Sequence, residues 1–266
     1  ENVQIPAKKI IPLNFQSLSS TLKVLKNLRQ EKYDLVFELH RSGRSGRFFS
    51  LASKLLRFQY FFHNHNIEGP SKIIDQGKPL PSIQRDLDGL WSLLNKKKGR
   101  RPDYKNYEPE VILKDIQKKR QILFGVVATR EAKMMPLEKF KSLAQLVQEK
   151  LPDYEIKIPL SKSVKDQKIK QIVKNMDFSQ NTEVIHESLE NLPFLFKSSK
   201  LYVGNDTGLK HLAVASKIPS LTFFGPENPE EWHPYSVEKH PYFFIENIKC
   251  QQHSLEDIFN KMRELL

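Results

Sequence analysis

The segment Tyr202-Val203-Gly204-Asn205-Asp206-Thr207-Gly208-Leu209-Lys210-His211-Leu212-Ala213 decides how this chain is read. The apolar run Leu201 to Val203 has the composition of a strand, and Gly204 reads as a tight turn that a side chain would obstruct. Asn205, Asp206 and Thr207 are residue types that cap helix N-termini, and helical spacing follows from Thr207 to Ser216. Gly208 leaves room for another group near the backbone. A strand, a capped turn and a helix in this order aim the first free amides of the helix into the crevice beyond the strand end. Open α/β sheets take ligands there, and a helix N-terminus favours phosphate. His211 follows Thr207 by one helical turn and shares its face, so it reads as a further donor or positive charge for a diphosphate. A plain capped helix meets the same spacing, with Asp206 as cap, Gly208 easing packing and His211 a satisfied histidine.

Working outward, strand-like and helix-like stretches alternate. Strands are expected at Gln121–Ala128, Tyr154–Ile158, Thr182–His186 and Pro219–Phe224. Helices are expected at Leu137–Leu151, Lys165–Met176, Glu190–Ser198 and, closing the chain, Leu255–Leu266. Repeated βα units of this kind predict an α/β fold with a doubly wound parallel sheet. Upstream, the spacing predicts a short strand at Lys8–Leu13, a helix at Leu18–Leu28, a buried strand at Tyr33–Leu39, a basic glycine-bearing loop, and helices at Arg47–Leu56 and Ser82–Leu94. The polar stretch Lys96–Glu110 carries Pro102 and Pro109 and marks the expected domain boundary, so residues 1–110 and 111–266 are read as separate domains.

The composition is that of a globular protein: 39% apolar and 28% charged over 266 residues. No run approaches the ~20 apolar residues of a membrane span. One cysteine, Cys250, excludes an internal disulfide, and with no export signal it points to a reducing, cytoplasmic setting. His63 and His65 lack further ligands around them, so no metal site is expected. Asp86-Leu87-Asp88 spells a metal-holding string, but residues two apart on a helix do not face each other. The net charge of +12 implies anionic company. No nucleic-acid-reading motif accompanies it, so nucleic acid is not an expected partner. The run from Lys96 to Arg101 reads as a solvated linker, or as a contact with an anionic membrane, where each basic residue contributes ~1 kcal/mol.

With Phe223-Phe224-Gly225-Pro226 downstream, the opening segment resembles the signature of the heptosyltransferases, glycosyltransferase family 9. The shared pattern is an Asn-Asp-Thr-Gly loop, a histidine three residues on, a helix bearing Ala213 and Ala215, then Pro219, an apolar strand and Phe-Gly-Pro. Gly125-Val126-Val127-Ala128-Thr129 and Lys133-Met134-Met135-Pro136 resemble the family's first donor-domain strand and the helix start after it. Tyr33–Glu38 and Ser82–Leu94 resemble N-domain elements more loosely.

The resemblance implies a GT-B fold of two Rossmann-like domains with parallel sheets, the acceptor-side domain (1–110) incomplete and the nucleotide-sugar domain (111–266) closed by the C-terminal helix. It implies an inverting, metal-independent bacterial transferase. A sugar, heptose by family habit, would move from a nucleotide-diphosphate donor, ADP-linked by the same habit, to a lipopolysaccharide-type acceptor. No cofactor is implied. Thr129, Lys133, Asp206, Thr207, Gly208 and His211 would hold the donor diphosphate. Arg41, Arg44 and Arg47, three apart in the basic loop, would suit a phosphorylated or acidic-sugar acceptor, or form a solvated basic turn. The partners are a nucleotide sugar and an anionic glycolipid, with peripheral contact at the inner face of the inner membrane.

The chain departs from the family pattern in three places. The family's Gly-x-x-x-Glu, whose Glu holds the ribose, is replaced by Pro159-Leu160-Ser161-Lys162-Ser163, which leaves the nucleotide base open. Glu227-Asn228-Pro229 stands for Thr-Asp-Pro. The family's opening strand and Gly-Asp loop, source of the proposed general base, have no counterpart before Tyr33. At least one βα unit, of about 30 residues per βαβ, is missing from the family pattern; either it lies outside this sequence or the base has been lost, and no catalytic base is assigned. The second reading is a catalytically inactive nucleotide-binding module of the same fold.

Overall fold

Residues 11, 13–39, 43–62, 80–95, 100–106, 108–114, 116–249 and 253–266 are described by the computed structural model. Arg41, His63, His65, Cys250, most of the basic run and most of the expected strand at Lys8–Leu13 lie outside them. Two compact units result. One comprises Glu108–Pro229 and Tyr235–Leu266; the other comprises the described residues up to 106 together with Glu230–Pro234.

The smaller unit contains α1 (Leu18–Glu31), β1 (Leu35–Glu38), α2 (Gly43–Leu56), β2 (Gln59–Phe62) and α3 (Ser82–Asn95). Ser17 caps α1 by accepting from the Ser20 amide at 3.3 Å. β1 and β2 pair in parallel, Leu35 opposite Gln59, with α2 as the crossover. Val24, Leu28, Ala52 and Phe58 form the core. The expectation of a buried strand is corrected here: all four β1 residues are half-buried, and Tyr33 and Leu39 beside them are exposed. Among the described residues its sheet has two strands, which give such a run little cover. A second correction concerns α2, which starts at Gly43 rather than Arg47. Gly46 is buried inside the helix, so it serves packing rather than a turn, and Arg44 and Arg47 are helical rather than on a loop.

In α3, Asp88 is fully buried and accepts from Arg101 Nε at 2.8 Å, Arg101 Nη2 at 2.6 Å and Gln84 Nε2 at 2.9 Å. Gln84 also donates to the Pro102 carbonyl at 2.8 Å and accepts from the Tyr104 amide at 2.9 Å. Arg101 is thus not part of a solvated linker. A bidentate guanidinium–carboxylate pair pins this stretch to the helix.

The larger unit holds β3 (Gln121–Gly125), α4 (Leu137–Lys150), β4 (Glu155–Pro159), α5 (Val164–Asn175), β5 (Thr182–Ile185), α6 (Leu192–Ser198), β6 (Leu201–Asn205), α7 (Gly208–Ala215) and β7 (Ser220–Phe224). The one-turn α8 (Pro229–Trp232) begins in this unit at Pro229 and has its other residues in the smaller one; the larger unit continues with β8 (Tyr242–Phe244), α9 (Ile245–Lys249) and α10 (Leu255–Leu265). The six strands are parallel, in the order β5-β4-β3-β6-β7-β8. Alternating side chains build both faces. Ile122, Phe124, Leu201, Val203 and Phe223 pack with α4 and α10 residues such as Phe140, Val147 and Phe259. Leu123 and Tyr202, one position out of phase, pack with Leu192, Phe196 and Ala213 from α6 and α7 on the other face. Phe140 is fully buried and meets Phe223 edge-on at 5.7 Å. Such a ring contributes about 1.5–3 kcal/mol by burial alone.

The chain winds outward from β3 through β4 to β5, then crosses back to place β6 on the other side of β3. This reversal falls between β3 and β6, and the carboxyl ends of strands at such a reversal are the position where open α/β sheets bind ligands.

Candidate functional site

Two loops meet at the β3–β6 reversal, and specific bonds hold them together. Asn205, the last residue of β6, accepts from the Met135 amide at 2.9 Å and donates to the Val126 carbonyl at 2.9 Å. Asn205 therefore staples the loop after β3 to β6 instead of capping the next helix. Gly204 lies inside β6, not in a turn. A Cβ there would stand 2.5 Å from the Tyr202 hydroxyl and 2.7 Å from the Gly125 α-carbon. Gly225 is required by closeness too: its Cβ would collide with the Ala132 carbonyl and lie 3.0 Å from the Lys133 α-carbon. The short 3-10 turn Glu131–Lys133 is thereby pressed against the end of β7.

Lys133, on that turn, reaches Asp206 at 3.2 Å and Glu227 at 3.4 Å. Asp206 is buried and its second oxygen takes Lys210 Nζ at 2.5 Å. Lys210 is itself fully buried, one helical turn on, with its ammonium 4.7 Å from the centre of the Phe224 ring. Burial pushes the Asp206 carboxyl up, but the ammoniums of Lys210 and then Lys133 outweigh it and hold the group below the usual carboxylate range. The Asp206 amide donates to the Phe223 carbonyl at 3.1 Å, which fixes the loop to β7. Arg130 pairs with Glu227 at the rim.

α7 starts beside this cluster. Thr207 caps it, accepting from the Leu209 amide at 3.3 Å. Gly208 is exposed, and a Cβ there would meet nothing within 4 Å. The helix therefore begins at an open surface, with its positive end beside the Lys133 ammonium. His211 Nδ1 and the Tyr235 hydroxyl share a hydrogen bond of 2.5 Å. Burial, and next the negative charge of Asp206, push the Tyr235 hydroxyl up to about 12, so it stays protonated at neutral pH.

Of the residues singled out from the sequence, Lys133 and Asp206 are in contact, Thr207 and Gly208 form the adjoining helix start, and His211 sits on the same helix. Thr129 is exposed on the loop after β3. Arg44 and Arg47 belong to the other compact unit, on α2. Lys210, Glu227, Tyr235 and the stapling role of Asn205 were missed. The Asp206–Lys210 spacing of four was the one available signal. Among the described residues no three His, Cys, Asp or Glu side chains are grouped as a cation site requires, and no helix is long and apolar enough to cross a membrane.

The family model for glycosyltransferase family 9 (heptosyltransferase) matches residues 21–259. The chain belongs to this family. It is 34% identical over 109 residues to lipopolysaccharide heptosyltransferase 1 of Campylobacter coli, an alignment covering 40% of this chain and 32% of that relative, so about a third of the relative's length is matched. Among solved structures, it is similar to E. coli heptosyltransferase WaaC with ADP, at TM-score 0.69 and 18% identity over 97% of this chain and 84% of that one. E. coli ADP-heptose lipopolysaccharide heptosyltransferase II follows at TM-score 0.66 and 16% identity, covering 93% and 81%. A family 9 glycosyltransferase of Veillonella parvula matches at TM-score 0.62 and 16% identity, covering 94% and 78%. The shared fold is α/β with parallel sheets in a Rossmann-like arrangement, that of the GT-B heptosyltransferases. Within it, the stapled β3–β6 loops and the α7 start occupy the reversal of strand order.

Proposed function

We propose that this family 9 chain transfers a heptosyl group from an ADP-linked donor to a lipopolysaccharide-type acceptor, with inversion and without a metal ion. The observation that carries the reading is the Lys133 ammonium, held 3.2 Å from Asp206 at the β3–β6 reversal beside the open start of α7. ADP is chosen because a solved structure of similar fold is a heptosyltransferase with ADP.

In this reading residues 111–266 bind the donor and residues 1–110 serve the acceptor, with Arg44 and Arg47, and Arg41 outside the described residues, meeting its anionic groups. The acceptor hydroxyl attacks the anomeric carbon as the bond to the diphosphate breaks; its proton passes to a general base, to which no residue is assigned, and the departing electron pair stays on the diphosphate. The α7 N-terminus, Lys133 and His211 stabilise that charge, and Thr129 and Thr207 supply hydroxyl groups. Asp206 is too buried, and too fully engaged with two lysines, to face the phosphates. Its part is to fix Lys133. The enzyme works in the cytoplasm, where its acceptor is presented at the inner membrane.

The test is thermal stabilisation by ADP, UDP, GDP, CDP and ADP-heptose, on the unaltered chain, Lys133→Ala and Gly208→Asp. A ligand at 100 times its Kd adds ~2.7 kcal/mol. ADP and ADP-heptose are expected to raise the melting temperature of the unaltered chain alone. Gly208→Asp enters open space and places an acid at a helix start, so it melts no lower by itself but repels a diphosphate. No shift with any nucleotide sinks the donor-site reading.

A further inference from the structure

We propose that Tyr235 is a positioning residue: its hydroxyl holds Nδ1 of His211 and so fixes that ring as a hydrogen-bond donor through Nε2, not a proton acceptor. Tyr235 stands in the segment between α8 and β8, 24 residues on from His211, and its hydroxyl lies 2.5 Å from His211 Nδ1. The two rings also meet edge-on, with 5.7 Å between their centres and 66° between their planes. The ring contact sets the plane of the imidazole, and the hydrogen bond sets which nitrogen bears the proton. Tyr235 is braced in turn by the His240 ring, which meets it edge-on at 5.9 Å. His240 is buried, its Nδ1 is 2.9 Å from the Ser220 hydroxyl of β7, and its amide donates to the Ser236 carbonyl at 2.8 Å. The sheet thus holds His240, His240 holds Tyr235, and Tyr235 holds His211.

The chemistry follows from which partner donates. A phenol is a better donor than acceptor, and an unprotonated imidazole nitrogen accepts well, so the neutral pair is O–H···Nδ1. Burial, and next the Asp206 charge, keep the phenol protonated, as this arrangement requires. The proton of the neutral ring is then on Nε2. When the ring takes up a second proton it goes to Nδ1, and Nε2 keeps its own. Nε2 therefore bears hydrogen in both states, and an anion that meets it meets a donor. Through that nitrogen His211 does not take the proton of an acceptor hydroxyl, which removes it as a general base. This use rests on the donor-site reading, in which His211 faces the departing diphosphate; the fixed tautomer does not.

The experiment is nitrogen–proton correlation NMR of the histidine rings in the 266-residue chain, with His211→Gln to identify the His211 signals among those of eight histidines. It is run at about pH 8, above the ordinary histidine value of about 6.5, where a neutral ring displays its tautomer. The unaltered chain is expected to show His211 as Nε2–H alone. Tyr235→Phe keeps the ring and removes the hydroxyl, and is expected to show both tautomers. Calorimetry is expected to find ADP bound about two- to tenfold more weakly by Tyr235→Phe, the size of one net hydrogen bond, because the loosened imidazole must be ordered again on binding. A merely structural tyrosine would lower the melting temperature in Tyr235→Phe and leave the tautomer as it was. His211 as Nδ1–H or as a mixture in the unaltered chain overturns the proposal. So does a tautomer, or an ADP affinity, that Tyr235→Phe leaves unchanged. If ADP does not bind the unaltered chain, the donor-site reading falls, and the tautomer, read without ligand, still decides whether Tyr235 fixes His211.

Discussion

At the residue scale, the most consequential charge is Asp206. It lies between Lys210, which is buried, and Lys133, which is nearly so. Removing one member of a buried pair strands the other, so Asp206→Ala is expected to cost about 3–5 kcal/mol. Lys210→Met added to it should restore most of that loss, because an unbranched apolar chain against Phe224 leaves no uncompensated charge. Urea unfolding of the two single variants and the double variant measures this cycle; additive losses would show that the pair is not coupled. The sequence singled out Asp206, but its role was hidden. A motif records residue types in order, whereas burial of Lys210 depends on β7 and Phe224 packing over it.

At the element scale, β3 and β6 lie side by side because two glycines make room for one tyrosine. Gly125 pairs with Gly204 in register, and the Tyr202 hydroxyl lies against both while donating to the Asn205 carbonyl at 3.2 Å. A methyl group at Gly125 would overlap the ring and hydroxyl, so Gly125→Ala is expected to lower stability by about 1–3 kcal/mol. Tyr202→Phe should relieve part of that loss, as denaturant midpoints would show; a neutral Gly125→Ala would contradict the packing. The long periodic elements were legible, since alternation and helical spacing are local properties. β2 and β8 were missed because Gln59–Phe62 and Tyr242–Phe244 are too short to show a period. The extra turn of α2 was missed because glycines read as loop until packing makes one of them an asset.

At the scale of the whole molecule, stability is linked to pH through His240. Its ring is buried, with Nδ1 2.9 Å from the Ser220 hydroxyl, and burial, then the nearby Lys239 charge, push it down to about 4. The unfolded chain takes up that proton near the ordinary value of about 6.5, while the folded chain does not until about pH 4. Stability is therefore full above pH 6.5 and declines as pH falls from there towards 4. Urea midpoints across that window should fall in the unaltered chain and flatten in His240→Gln. An equal slope in both would exclude His240 as the source.

The sequence alone determined the α/β class, the family and the order of the larger strands and helices, because each follows from local periodicity or from a contiguous motif. It also supplied Lys133 and Asp206 as separate names, 73 residues apart along the chain. Only the tertiary structure decided that they touch, that Lys210 joins them, and that Asn205 staples the two loops. Strand order brings β3 beside β6, and no residue states its neighbour in a sheet. The exposed leucines of α1 and α2, Leu18, Leu22, Leu51 and Leu55, belong to the same category: apolar spacing announces a helix, but which face is covered depends on what the rest of the chain packs against it.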